Sequence, residues 1–315
     1  MNPNQDPVRV RQIAWRRVLP ILHLWRSVGA GLRLRTLIPA GVLVWLAEGF
    51  REVVSDLPPV AVLGARALPI PVRGTVEAML GLLCRVEVQP LPFFATLSLL
   101  LIPVCMISRS AASDVFRNER LGLLNAGKDV LRRPASLAIS TLLAVVIGAA
   151  ILLALRIAGG VFAAENSLLI FTSTVCLIAG LFLLLVWLLS LSAIGIDQCS
   201  GSDALSRGIS YCVSNKGFTI LSLLLVASLS NATAFVADAL QSAGEYIAAE
   251  QSDMSNSVYE QQGTDAADEA ATRRFFPKCV QLSVFLSGLG LIYVTLRQKE
   301  DAVRLDEMDG GAPQS

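Results

Sequence analysis

Charge is scarce in this chain and histidine is almost missing. Of 315 residues only 16% are Asp, Glu, Lys or Arg, against about 25% in an ordinary soluble domain. The single histidine is His23, and the six cysteines (Cys84, Cys105, Cys176, Cys199, Cys212 and Cys279) form no Cys-x-x-Cys pair. Zinc, haem and iron–sulfur sites therefore lack their ligand spacings, and no metal or cofactor is expected. There is no phosphate-loop motif, no dinucleotide-binding glycine fingerprint and no Gly-x-Ser-x-Gly elbow, so nucleotide chemistry and acyl transfer lack their usual frames. Lys plus Arg (26) nearly cancels Asp plus Glu (25), which argues against a nucleic-acid partner. No polar stretch is long enough for a separate soluble domain, for which about 50 residues is the lower bound.

What the sequence does have is apolar length. Hydrophobic residues make up 54% of it and the mean hydropathy is +0.60, the composition of a polytopic membrane protein. Apolar segments of bilayer length occur at 36–55, 88–107, 135–155, 168–196, 217–239 and 279–297. They predict an all-α bundle of six transmembrane helices. The expected organisation is a basic segment 1–35, a membrane domain 36–297 and a polar tail 298–315. The first span is the weakest, because Glu48, Arg51 and Glu52 follow only eleven uncharged residues from Leu37 to Ala47.

The distribution of positive charge favours counting it. With six spans, eighteen of the lysines and arginines fall on the face that holds both termini and seven on the other, with Arg156 at a span end. The positive-inside rule then places both termini in the cytoplasm, with the chain in the inner membrane. The Arg273, Arg274, Lys278 cluster runs against this arrangement. Pro20, His23 and Arg26 interrupt the first apolar stretch, so no cleaved signal is read and the start is expected to be retained. Residues 8–35 alternate apolar anchors with arginines and carry Trp15 and Trp25. This is the pattern of a segment lying on an anionic leaflet, although a solvated basic tail fits as well.

On the outer face, residues 56–87 are proline-bearing and expected to hug the membrane. Residues 240–272 hold seven acids and no base; they read as a flexible loop or as an acidic arm for a basic partner. Cys84 and Cys279 would lie on this face, open to pairing or to remaining two small buried thiols.

The two cytoplasmic links read as short amphipathic elbow helices. In the second, Ser202 or Asp203 can cap a helix whose Leu205, Ile209, Cys212 and Val213 share a face and which ends near Asn215. A shift of 82 residues lays Leu123 on Leu205, Val130 on Cys212, Leu131 on Val213 and Pro134 on Lys216, which suggests a parallel repeat or a coincidence of two amphipathic connectors.

Ile196, Asp197, Asp203, Ala204, Leu205, Ser206, Arg207 and Tyr211, with Ile107 to Asp114 in the first link, resemble links of an uncharacterised bacterial, planctomycete-type family of multi-pass membrane proteins. More broadly, they resemble the membrane regions found beside bacterial glycerophosphodiesterases. The resemblance covers a minor part of the chain and implies topology, since the family has no assigned activity. Asn215, Lys216 and Gly217 depart from the more basic or proline-bearing start of the following span, and the catalytic domain has no counterpart here.

Ionisable residues at membrane depth are costly and are functional candidates by default. Glu48, Ser228, Asn231 and Asp238 form the candidate intramembrane polar site, the last three on one stripe of the fifth span that should face protein or a cavity. Against this, Asp238 lies near the interface, and Asn231 needs only a neighbouring backbone to be satisfied. Asp197, Asp203, Arg207 and Arg120 are the candidate elbow contacts, with Arg207 placed to pair with Asp197. Ala144 with Gly148, and Ser283 with Ser287, would permit close helix approach. The reading is a non-enzymatic scaffold or accessory subunit whose partners are the bilayer and another membrane protein; the alternative is a small-solute or lipid transporter using the fifth-span stripe. An outer-leaflet lipid enzyme would need Glu48 and Asp238 to converge on one headgroup.

Overall fold

The computed structural model describes residues 24–54, 90–117, 121–161, 166–255 and 275–300. The protein is all-helical, with no strand among the described residues: α1 (Arg26–Gly31), α2 (Leu34–Val54), α3 (Pro90–Ala112), α4 (Leu123–Leu131), α5 (Pro134–Val161), α6 (Asn166–Asp197), α7 (Gly201–Ser214), α8 (Lys216–Ser255) and α9 (Phe275–Glu300). One π turn, Ser113–Arg117, follows α3. Among the described residues four windows are long and apolar enough to cross a membrane: Pro134–Ile151, Ile178–Asp197, Lys216–Ile247 and Phe275–Glu300. The remaining two expected spans also fall on helices, α2 and α3.

Local chemistry sets several of the boundaries. Pro90 and Pro134 open α3 and α5, where a missing N–H costs nothing and the fixed φ is already helical. Ser200, in extended conformation, caps α7 by accepting from the Asp203 N–H at 3.2 Å. This corrects the assignment of that cap to Ser202 or Asp203. The Thr36 hydroxyl lies 2.8 Å from the carbonyl oxygens of Ala30 and Arg33, satisfying the open end of α1 while starting α2.

The long helices alternate in direction, and specific contacts prove it. Arg33 and Arg35, before and at the start of α2, pair with Asp114 just past the end of α3. Arg133 before α5 donates to the carbonyl of Gln198 just past α6. Asn215 before α8 donates to Glu300 at the end of α9. Between α3 and α6, Cys105 donates to the Leu191 carbonyl and Arg109 to the Gly195 carbonyl, a constant offset that makes these helices parallel. Among the described residues six long helices thus begin or end at one charged end of the bundle.

The core is α9, whose residues 279–296 are all buried. It packs against α1, α2, α3, α6 and α8. A helix apolar all round belongs inside, and its small residues allow close neighbours. A Cβ added at Gly290 would stand 2.8 Å from the Ser108 carbonyl oxygen, and one at Gly31 would stand 2.7 Å from the Val284 Cα. Between α3 and α6, Gly195 meets the Cys105 carbonyl at 2.8 Å in the same sense. Serines tie these seams: Ser283 donates to the Gly31 carbonyl at 2.7 Å, Ser230 to that of Gln281 at 2.8 Å, and Ser140 and Ser190 bond at 2.8 Å. Interhelical bonds of this kind contribute about 0.6 kcal/mol each in a bilayer.

The structure corrects three further expectations. Helix α8 does not stop at 239 but runs to Ser255, so the first part of the acidic stretch 240–272 is helix. Ala239, Ala243, Ala248 and Ala249 favour helix, and Gln241 bonds Glu245 one turn on at 3.0 Å. On α7 the buried residues are Gly201, Ala204, Leu205, Gly208, Tyr211 and Cys212, while Ile209 and Val213 are exposed. Gly208 rotates the buried face, because its lack of a side chain lets α7 approach the Val186 carbonyl. The segment read as lying on a leaflet is, from Leu24 to Thr36, docked on α9 instead, with Leu24, Ser27, Ala30 and Gly31 buried and Trp25 exposed. Residues 1–23, 56–87 and 301–315 lie outside the described residues.

Candidate functional site at the charged end

The polar groups that converge do so where helices meet at the charged end. Asp197, the last residue of α6, has a side chain only 6% exposed. One carboxylate oxygen accepts from Arg297 of α9; the other accepts from the Tyr293 hydroxyl at 2.5 Å and from Arg207 of α7 at 3.1 Å. Tyr293 stacks at 5.8 Å on Tyr211, tilted by 44°, which seats α7 on α9. The pairing of Arg207 with Asp197 is the one the elbow spacing suggests. Tyr293 and Arg297 are partners the sequence reading did not identify, although their spacing of four puts them on one face of α9.

Two more acids complete this end. Asp114, 3% exposed, is held by Arg33 and Arg35, while Arg26 donates to the Val115 carbonyl at 3.4 Å. These arginines, read from sequence as leaflet contacts, join α1 and α2 to α3. Asp129 of α4 accepts from Arg109 of α3 at 2.8 Å. Gln198 adopts a left-handed φ of 54°, which turns the chain sharply out of α6; with its amide oriented to satisfy both groups, its side-chain oxygen accepts from Arg109 at 2.7 and 3.0 Å. Burial first, and then the negative charge of Asp197, pushes the Cys199 thiol above its ordinary range. Burial alone pushes Cys212 up to about 11. Both thiols are therefore protonated at neutral pH and poor nucleophiles.

The candidate intramembrane residues are not brought together. Ser228 is exposed and donates to the Leu224 carbonyl of its own helix at 2.8 Å. Asp238 is exposed, and its carbonyl accepts from Ser242 at 2.9 Å. Asn231 alone reaches a neighbour, accepting from Gln281 at 2.6 Å. The stripe that meets α9 is Val226, Ser230 and Ala237, so the seam lies rotated from the predicted one, and Ser230 and Gln281 are its polar members. Glu48 falls on α2, but its side chain, like Arg120 and Cys84, lies outside the described residues. Cys279 is buried on α9 beside Gly41. Asp203 is exposed in the first turn of α7, where a negative charge suits the helix dipole.

Among the described residues no group of three or more His, Cys, Asp or Glu is placed to hold a metal ion. Chemically the arrangement is a set of closed charge pairs: each buried acid is met by arginine from another element, so it fixes helix positions. No protein-family model, no curated protein and no solved structure matches this chain.

Proposed function

We propose that this chain is a six-span integral membrane protein, both termini on the cytoplasmic side of a bacterial inner membrane, that works without catalysis as a scaffold or accessory subunit of a membrane complex. The observation that carries this reading is the pairing of its buried acids with arginines from other elements. Asp197 and Asp114 each meet two arginines, and the Asn231–Gln281 pair satisfies the one member of the predicted Ser228, Asn231, Asp238 stripe that reaches α9. Such groups give shape, and shape is what a scaffold offers a partner. The charged end, with Arg207, Lys216 and the α4 and α7 elbows, then faces the cytoplasm as the partner surface. The linker resemblance to planctomycete-type membrane proteins supports the same topology.

The test is extraction in native lipid through a carboxyl-terminal tag, followed by mass spectrometry of what stays bound. A stoichiometric protein partner, lost on Arg207→Glu, supports the scaffold. A transporter of a small solute or lipid would instead depend on the α8 polar residues, so Asn231→Ala with Asp238→Ala should abolish function in that case and leave a scaffold near normal.

A further inference from the structure

At the charged end, α4 lies against the last turns of α3 and leaves a groove of about 520 Å³ between them. Its lining is apolar (Ile102, Met106, Leu123, Leu124, Leu131), and its rim carries Lys128 and Arg132. Gly127 makes the groove, since a Cβ there would stand 3.3 Å from the Met106 methyl. Two leucines of α4 remain uncovered by protein, Leu124 at 85% and Leu131 at 58% exposure. They flank exposed cations: Lys128 has no ion pair among the described residues, and Arg132 is only loosely paired, 3.9 Å from Asp129. The one acid of α4, Asp129, is already matched by Arg109 at 2.8 Å, so the rim is net positive.

We propose that this groove is a binding site for an anionic phospholipid, one acyl chain lying on Ile102 and Met106 between the leucines and the phosphate held by Lys128 and Arg132. The chemistry selects this occupant. An apolar floor has nothing to offer a soluble anion, and the cation of a zwitterionic lipid offsets the attraction of its phosphate to a basic rim. Amphipathic helices with leucines on one side and Lys or Arg beside them bind at the headgroup boundary, and basic pockets between membrane helices favour anionic headgroups. The site requires only that the charged end lie at a bilayer surface, so it stands or falls separately from the scaffold reading.

The experiment uses the full-length protein in detergent, incubated with equal amounts of phosphatidylglycerol and phosphatidylcholine of matched acyl chains and read by native mass spectrometry. The wild type should retain phosphatidylglycerol about ten- to thirty-fold better, the size expected of two basic groups at a membrane surface. Lys128→Gln with Arg132→Gln should remove the preference, whereas Lys216→Gln with Lys299→Gln, at the same end but outside the groove, should keep it. Leu124→Gln should weaken retention of both lipids. Leu124, Lys128, Arg132, Lys216 and Lys299 are all exposed, with only a 3.9 Å pair from Arg132 to Asp129 and a stack of Lys299 on Phe218 to lose, so folding is expected to survive; unchanged helix content and elution volume check it. Equal retention of the two lipids by the wild type, a preference that survives the Lys128/Arg132 double substitution, or displacement of the lipid by millimolar inorganic phosphate would each overturn the proposal.

Discussion

Tyr293 of α9 donates its hydroxyl to the carboxylate of Asp197 at the end of α6, 2.5 Å away and 96 residues apart in sequence. With Arg207 and Arg297 on the same carboxylate, this one acid holds three helices at a single point. Replacing a buried acid leaves its cations uncompensated, and Arg297 is itself only 15% exposed. Asp197→Ala is therefore expected to destabilise the protein by about 3–5 kcal/mol. Tyr293→Phe removes one donor to a charged acceptor and should cost about 1.5–3 kcal/mol. Thermal unfolding in detergent measures both; a Tyr293→Phe effect equal to that of Asp197→Ala would show that the charges contribute nothing.

Glycine substitutions separate close helix contacts from incidental ones. A Cβ at Gly195 or Gly290 would meet a backbone carbonyl at 2.8 Å, and neither backbone can yield without opening the α3 seam. Gly195→Ala and Gly290→Ala should lower the melting temperature markedly. Gly244, on the projecting part of α8, has nothing within 4 Å. There Gly244→Ala should stabilise by about 0.5–1 kcal/mol, the ordinary helix-propensity gain.

The elbow thiols give a pH prediction. The reactive species is the thiolate, and the Cys199 pKa is raised first by burial and then by the charge of Asp197. In a variant keeping Cys199 as its only cysteine, maleimide labelling should be slower than for an unfolded control at pH 8 and should climb as pH rises beyond the ordinary thiol range. Asp197→Asn removes one of the raising charges, which lowers the pKa, and should speed labelling at fixed pH. Cys212 kept as the only cysteine should likewise label slowly at pH 8 and faster as pH rises, because burial pushes its pKa up to about 11. Labelling of Cys199 that is flat with pH would mean that burial and charge do not govern it.

The all-helical, apolar character of the chain was readable from the sequence because apolar length is a composition signal that survives without any partner, and four of the expected spans fall on helices long and apolar enough to cross a membrane. Under the 82-residue shift α4 falls over residues 205–213 of α7 and the start of α5 over that of α8, with Val130 and Cys212 both buried and Leu131 and Val213 both exposed. What the sequence could not reveal was which face of each helix meets which neighbour. On α8 the predicted stripe passed through Ser228 and Asp238, yet the seam runs through Ser230, since all sides of that helix are comparably apolar and periodicity cannot choose among them. The arginines before α2 were misread for a related reason. A cation near a membrane boundary attracts lipid phosphate and a buried carboxylate alike, and only the fold brings Asp114 within reach of Arg33 and Arg35.

The length of α8 makes the threading testable. Forty helical residues extend about 60 Å, twice a hydrocarbon core of about 30 Å. Lys216 lies at the charged end, so the excess must project from the opposite face, and it carries Glu245, Glu250 and Asp253 with it. If the charged end is cytoplasmic, alkaline phosphatase fused after Ser255 should be active, and the same enzyme fused after Arg132 or Ser214 should be inactive. Because α3, α6 and α9 all finish at the charged end, a fusion after Glu300 should be inactive as well. Activity after Arg132 together with inactivity after Ser255 would invert the whole bundle. Activity differing between Arg132 and Ser214 would instead break the alternation of α3 through α6, and with it the six-span threading.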